Sequence, residues 1–459
     1  DTFTIPSGVT ITNNGTANGF GATGAVNWQT TKKTANFTAT SGEGYFCDTA
    51  AVGSFTLTLP SSPSVGDIVG LKDYNGNFAT ANLIIGRGGS NLDGNAGDKT
   101  LDTDNLSLTL VYVDATQGWV PIEEGTGFIG LSPQFVTASG GNSVITCGNF
   151  KTHIFTGPGT FTVSCAGNSD GSNSVEYLVI AGGGSGGGGR TCGYGSGGGG
   201  AGGFRIRTDL SPASALNAPA NLPVSVQGYP IAVGGGGAGI AASSSAACKT
   251  GNRGVNSTFS SITSTGGGGG IRQGDPNAAP RSPGGSGGGA YGSNPAVGSG
   301  NTPPVSPPQG KDGGTGASPG TPYTSGGGGG AGTTGFLGGS QGPTPTGGDG
   351  GTGDFIPTSF IGPTAPSYGE SGPAGRYFAA GGGGGQYGAG PASPVGSSEG
   401  GLGGGGNGAG HGGPTNQGIT SGTTNTGSGG GGGGGSAPSN AGTSGSGGSG
   451  IVMIRYKFQ

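Results

Sequence analysis

Charge is the scarcest commodity in this 459-residue chain. Asp, Glu, Lys and Arg together make up 8% of it, and the net charge is −4. So few charges exclude a charge-swollen disordered tail, and no basic patch points to nucleic acid. Hydrophobic residues are also sparse at 29%, so a conventional core forms only where they concentrate, before residue 182 and over the last nine positions. No run approaches the roughly 20 apolar residues that span a bilayer, which predicts no membrane insertion. No segment carries a helical apolar period, so α-helix is expected to be essentially absent. The first residue is Asp1, which leaves room for a removed leader.

Groups for chemistry are equally few. There are two histidines, His153 beside a strand and His411 inside a glycine tract, so packing or solvation is the expected role of each rather than a catalytic triad. Glu123 and Glu124 are adjacent and would point to opposite faces of a strand, so they are not a paired acid and base. The chain is read as a non-enzyme without a cofactor. Asp93, Asn95 and Asp98 gather oxygen ligands but lack the spacing of a calcium loop, which makes them weak metal candidates and a polar turn the better reading. Five cysteines at wide spacing contain no CxxC, which argues against zinc. Cys147 with Cys165 and Cys192 with Cys248 are conceivable disulfides, scattered buried thiols being the simpler account.

What the chain has is glycine. Of 121 glycines, 27 fall before residue 181 and 94 after it. They gather in tracts such as 182–189, 197–203, 266–270, 326–332, 381–385 and 429–435. No Gly-X-Y period exists, so a collagen triple helix is excluded. A disordered linker is one reading. The other is ordered poly-glycine in the polyproline II conformation, with three residues per turn and every N–H and C=O pointing outward to a neighbouring rod. Tracts of this length would span about 15–28 Å at ~3.1 Å per residue. Their uniformity favours rods over a tether. Formal GxGxxG matches inside the tracts lack the following helix and carry no phosphate site.

The expected fold is all-β, with four segments. Residues 1–26 are an N-terminal β stretch or attachment segment. Residues 27–124 hold short strands such as Ser54-Phe55-Thr56-Leu57-Thr58-Leu59, alternating with period two, and predict a β-sandwich or small barrel. Residues 125–150 read as a connector. Residues 151–459 form a glycine-rich domain, its tracts bracketed by strands at 151–181 and 450–458 that are expected to pair. Between the tracts lie Pro-, Ser- and Asn-rich loops with aromatics: Tyr194, Tyr291, Tyr323, Phe336, Phe355, Phe360, Tyr368, Tyr377, Phe378 and Tyr387. They are expected either to cap the tracts or to contact a partner.

Four blocks recur in a recognisable order. Thr152-His153-Ile154-Phe155-Thr156-Gly157-Pro158-Gly159-Thr160-Phe161 opens the set, and Val175-Glu176-Tyr177-Leu178-Val179-Ile180-Ala181-Gly182-Gly183-Gly184 follows. Gly198-Gly199-Gly200-Ala201-Gly202-Gly203-Phe204-Arg205 comes next, and Gly447-Gly448-Ser449-Gly450-Ile451-Val452-Met453-Ile454-Arg455-Tyr456 closes it. Over residues 150–459 the chain resembles the glycine-rich domain of tail-fibre and tail-adhesin proteins of tailed bacteriophages, notably those infecting marine cyanobacteria. The resemblance implies an extracellular virion component at the tail, often a homotrimer, contacting other tail proteins. It also implies poly-glycine helices that present loops to a host surface glycan or outer-membrane protein, which would make the ten aromatics above receptor-binding candidates. A secreted filament-forming or matrix protein, an open polymer of this chain, is the alternative. An ice-binding bundle would need flat Thr or Ala faces that the tracts do not supply.

Overall fold

A computed structural model describes residues 26–124, 133–168, 171–189, 195–241, 249–275, 278–292, 296–317, 324–339, 346–362, 368–386, 398–410, 418–435 and 443–459. The chain divides into two compact units, Asp1–Pro133 and Gln134–Gln459.

The first unit is all-β. Its strands are β1 (Asn27–Lys33), β2 (Phe37–Thr38), β3 (Glu43–Cys47), β4 (Phe55–Thr58), β5 (Ile68–Asp73), β6 (Leu83–Gly86), β7 (Lys99–Leu101), β8 (Ser107–Asp114) and β9 (Gly118–Glu124). One sheet runs β1-β3-β5-β8-β9 and the other β2-β4-β6-β7. The two enclose one core in which Leu57, Leu71, Leu83, Ile85, Leu110 and Trp119 are fully buried. Phe55 and Leu57 point inward while Thr56 and Thr58 alternate with them, as their period of two requires. The strands are linked mainly by crossovers between the two sheets. The chain changes sheet at every step from β1 to β6, so β1, β3 and β5 pair in parallel, as do β2, β4 and β6. Only β7, β8 and β9 pair antiparallel. At Asn75-Gly76 the Asp73 carboxylate accepts the N–H groups of Gly76, Asn77, Phe78 and Asn105. That folds the segment into a loop and leaves β8, not β6, to pair with β5.

Residues 134–150, read from the sequence as connector, belong to the second unit and carry β10 (Val136–Ser139), β11 (Ser143–Cys147) and the first residue of β12 (Phe150–Phe155). Gly140 and Gly141, with φ of 106° and 95°, make the turn between β10 and β11, so the glycines mark a tight reversal there. The remaining strands are β13 (Gly159–Ala166), β14 (Ser174–Ile180), β15 (Phe204–Arg207), β16 (Leu222–Pro223), β17 (Gly228–Ala232), β18 (Ser257–Phe259) and β19 (Ile262–Ser264). Then come β20 (Asp354–Ile356), β21 (Glu370–Gly372), β22 (Gly375–Phe378) and β23 (Ile451–Lys457). The only α-helix among the described residues is the single turn α1 (Ala278–Arg281).

The two strands that bracket the glycine tracts pair directly. β23 lies between β12 and β14, antiparallel to both, in the sheet β11-β12-β23-β14-β15. It is buried on both faces, Ile451 and Met453 in one core, Val452, Ile454 and Tyr456 in the other. The second core lies against the sheet β10-β13-β17-β18-β19, and the first is shared with the small sheet β20-β22-β21. Glu176 and Arg455, opposite each other on β14 and β23, form a buried ion pair at 2.8 Å. The second Glu176 oxygen accepts the Thr208 hydroxyl, and the Arg455 guanidinium lies 3.6 Å over the Phe150 ring.

Between β14 and β23 the glycine tracts bond to one another, and the partners recur every third residue. In tract 195–203, Ser196, Gly199 and Gly202 donate to Gly433, Gly430 and Gly427; Gly197, Gly200 and Gly203 donate to Ile271, Gly268 and Thr265; Gly198 and Ala201 donate to Gly326 and Gly329. The same tract accepts from Gly184 and Gly187, from Ser286 and Gly289, and from Gly382 and Gly385. Six segments therefore surround it, three by donation and three by acceptance. Taken in order, 182–189, 265–271, 284–290, 326–330, 380–385 and 427–433, each also bonds to the next and the last to the first. Burial repeats with the same period in tract 231–241, where Ile231, Gly234, Gly237 and Ile240 are buried while Gly235 and Ala238 are exposed.

This closeness explains the composition. A Cβ on Gly199 would stand 2.1 Å from the Gly184 carbonyl oxygen, and one on Gly270 1.9 Å from that of Gly197. Neither glycine is needed for a positive φ. Each is needed because another backbone occupies the place of its side chain.

Candidate binding surface

One end of the tract array abuts the strands: Ala181 follows β14, Gly203 precedes β15 and Gly450 precedes β23. The other end is marked by the isolated bridges Tyr291 to Ser325, Ala317 to Thr324, Thr324 to Gln386 and Gly339 to Thr346. Tract directions, fixed by the bonds above, bring Gly189, Gly195, Thr324, Gln386 and Gly435 to this second end. The chain leaves and re-enters the array there, at the ends of segments 190–194, 318–323, 387–397, 411–417 and 436–442, which lie outside the described residues. Thr324 and Ser325 are almost wholly buried at this end, and their hydroxyls have no hydrogen-bond partner among the described residues.

The aromatic candidates separate into distinct groups. Tyr194, Tyr323 and Tyr387 lie outside the described residues, as do His411, Cys192 and Cys248. Tyr291 stands at the open end but is only 6% exposed. Phe360 and Phe378 are fully buried, packed with Ile154, Leu178 and Met453, and Tyr368 packs partly buried against them. Phe360 and Phe378 are core residues, which corrects their reading as surface contacts, and Tyr368 lies at the edge of that core. Segment 354–378 runs to the strand end of the array and folds as β20-β22-β21 over the main sheet, so Phe360 and Phe378 face inward. Phe355 and Tyr377 pair across β20 and β22 with ring centres 5.7 Å apart, half-buried. The short β-prone runs Asp354-Phe355-Ile356 and Arg376-Tyr377-Phe378 were the available signal.

Phe336 alone among the described candidates is strongly exposed, at 54%, and Leu337 beside it at 63% escaped the sequence reading. Both sit on the outer side of tract 333–339, whose inward Gly335 and Gly338 donate to Asp312 and Thr315. On the other side Phe336 donates its N–H to the Asp349 carbonyl. The exposed side chains of Asp312 and Asp349 therefore lie on the tracts flanking the apolar pair.

The remaining candidates are structural. Asp93 donates its N–H to Trp119, Asn95 bonds the Asp93 carbonyl, and the Asp98 carboxylate accepts the Arg87 N–H, so the three shape turns. No group of three or more His, Cys, Asp or Glu among the described residues is placed to hold a metal. Cys147 and Cys165 are free thiols on β11 and β13, in different sheets, and do not form the disulfide their spacing allowed. Cys47 is buried in the first core, which pushes its thiol up to about 12. His153 is buried between β10 and β23. Its Nδ1 donates to the Gly140 carbonyl at 2.7 Å, leaving Nε2 to accept from the Tyr456 hydroxyl at 3.0 Å. Burial pulls its pKa below the usual histidine value. The Asp354 carboxyl, buried and accepting the Ser214 hydroxyl, is pushed up by the same effect.

No curated protein matches the chain. A family model, the glycine-rich domain, matches residues 155–457. The match begins on β12, ends at the last residue of β23 and takes in all the tracts between. Over about two-thirds of its length, this chain belongs to the glycine-rich domain family.

Proposed function

We propose that this chain is a tail-fibre or adhesin component of a bacteriophage virion, without enzymatic activity, that attaches the particle to a glycan or outer-membrane protein of its host. The tracts act as polyproline-II-type poly-glycine helices, and the connections at the open end of the array act as the receptor-binding surface. The observation that carries the reading is the period of three in the cross-tract hydrogen bonds. Three residues per turn is the polyproline II repeat, and six bonded neighbours around one tract is the lateral packing it permits. Such an array is a stiff support, because every rod in its middle is fixed by six others. A glycine tract has no side chain with which to recognise a ligand, so recognition falls to the Tyr-, Ser-, Asn- and His-bearing connections held at its end. An enclosed support with polar connections at one end suits an outward-facing binding protein. The experiment is replacement of residues 387–397 and 411–417 by Gly-Ser segments of equal length. Particles carrying the altered chain are expected to lose adsorption to host cells while the tracts keep their fold; undiminished adsorption rejects the reading.

A further inference from the structure

The array has two flanks, and they are complementary. Around tract 195–203, segments 182–189 and 326–330 are separated by two neighbours in either direction, so they lie on opposite sides of it. Beyond 182–189 lies tract 233–241, and beyond 326–330 lies tract 333–339. The middle row of the array thus ends in 233–241 on one flank and 333–339 on the other.

Each of these end tracts is bonded on its inner side only. Tract 233–241 exchanges bonds with 182–189, 249–256 and 443–450; tract 333–339 exchanges them with 309–317, 326–330 and 346–354. The outward N–H groups of Gly235 and Ala238, and of Thr334 and Leu337, have no partner among the described residues. These rows of open donors are the tract counterpart of an unpaired sheet edge.

Their side chains differ in a way that internal packing does not require. On the first flank the outward positions are Gly235 and Ala238, and a Cβ on Gly235 would meet nothing within 4 Å. Beside them tract 249–256 exposes Lys249, Arg253 and Val255, the last 59% exposed. Neither Lys249 nor Arg253 forms an ion pair among the described residues. The second flank exposes the apolar knob Phe336–Leu337 between the acidic side chains of Asp312 and Asp349. One flank is a small-residue trough with a basic margin, and the other is an apolar ridge with an acidic margin.

We infer that the array binds a second copy of this chain, the Phe336–Leu337 ridge of one copy seating on the Gly235–Ala238 trough of the next. Asp312 of one copy, in the same outer row as tract 249–256, then lies against Lys249 and Arg253 of the next, and the row of tracts continues from copy to copy. Buried aromatic and aliphatic area supplies the attraction, and the opposed charges set the register and partner. The contact is heterologous, joining two different patches, so it closes into a ring where its rotation permits and otherwise grows as an open chain.

Heterologous contacts have a distinctive test. One variant carries Phe336→Asp and Leu337→Asp, and the other Lys249→Glu and Arg253→Glu; all four positions are exposed. Light scattering on the full chain is expected to give an oligomer for the unaltered protein and a monomer for each variant. Their mixture is expected to give a 1:1 heterodimer, because each variant keeps the flank the other lacks. Self-affinity of either variant should fall by about tenfold or more. Amide exchange of the inner tract glycines, unchanged from the unaltered protein, shows that the variants are folded. An unaltered protein that is monomeric at concentrations of about 100 μM, variants that keep the parent mass, or a mixture that stays monomeric each overturn the inference. Adsorption of particles carrying replaced end connections tests the binding reading separately.

Discussion

Replacing Gly199 by alanine separates a packed array from a flexible tether. Gly199 lies in the innermost tract, donates to Gly430 at 2.9 Å and accepts from Gly382 at 2.9 Å. The added methyl would stand 2.1 Å from the Gly184 carbonyl oxygen. Tract 182–189 must therefore retreat by roughly 1 Å before the contact becomes tolerable in a close-packed interior. That retreat stretches the bonds from Gly184 to Gly200, now 2.8 Å, and from Gly187 to Gly197, now 3.1 Å. Overpacking of this kind costs about 1–3 kcal/mol, and each weakened bond about 1 kcal/mol more. The expected loss is therefore about 3–5 kcal/mol. The control is Gly235→Ala, where the methyl enters open space at an ordinary φ. It should be neutral or stabilise by up to about 1 kcal/mol through the unfolded chain. Both tryptophans, Trp28 and Trp119, lie in the first unit, so tryptophan fluorescence follows that unit alone. Urea unfolding of dilute protein followed by tyrosine fluorescence and circular dichroism should show the Gly199→Ala shift, with the tryptophan transition unmoved. Equal effects of the two substitutions would refute the packing argument.

Two further predictions concern the strands that close the array. Arg455→Met leaves Glu176 charged and without its partner in the core and should cost about 3–5 kcal/mol, whereas the double change Glu176→Gln with Arg455→Met should cost clearly less; a double-mutant cycle on urea midpoints checks this. Because burial lowers the His153 pKa, the unfolded chain takes up a proton near 6.5 before the folded one does. The stability of the second unit should therefore be complete above pH 6.5 and decline as pH falls through the lowered folded value. His153→Phe should flatten that decline, and melting curves from pH 8 to 5 decide it.

The strand framework was largely legible. Period-two runs such as Phe55-Thr56-Leu57-Thr58 and the β-branched Ile451–Ile454 stretch fold as strands, and the pairing of β14 with β23 follows from their places at either end of the glycine tracts. Partner choice was not legible. Asn75-Gly76 looks like a hairpin turn, but whether a strand returns beside its predecessor depends on groups elsewhere, here the four N–H bonds to Asp73. The surface suffered in the same way. Phe360 and Phe378 stand, like Phe336, within three residues of a glycine, and only the fold of segment 354–378 turns them inward. Tract spacing carried the period of three in principle. Side-chain identity at Ala238, Phe336 and Leu337 carries flank information only once the inner neighbours of each tract are known.

Residue-resolved amide exchange tests the central claim, that the tracts are mutually bonded rods, most directly. Gly198, Gly199 and Gly200 should be strongly protected, since each donates to a different neighbouring tract. Along the outer tract, in protein dilute enough to be monomeric, Gly234, Gly237 and Ile240 should be protected while Gly235 and Ala238 exchange at the rate of open chain, a period of three. Rapid exchange at Gly198 to Gly200, or protection without that period, would contradict the account.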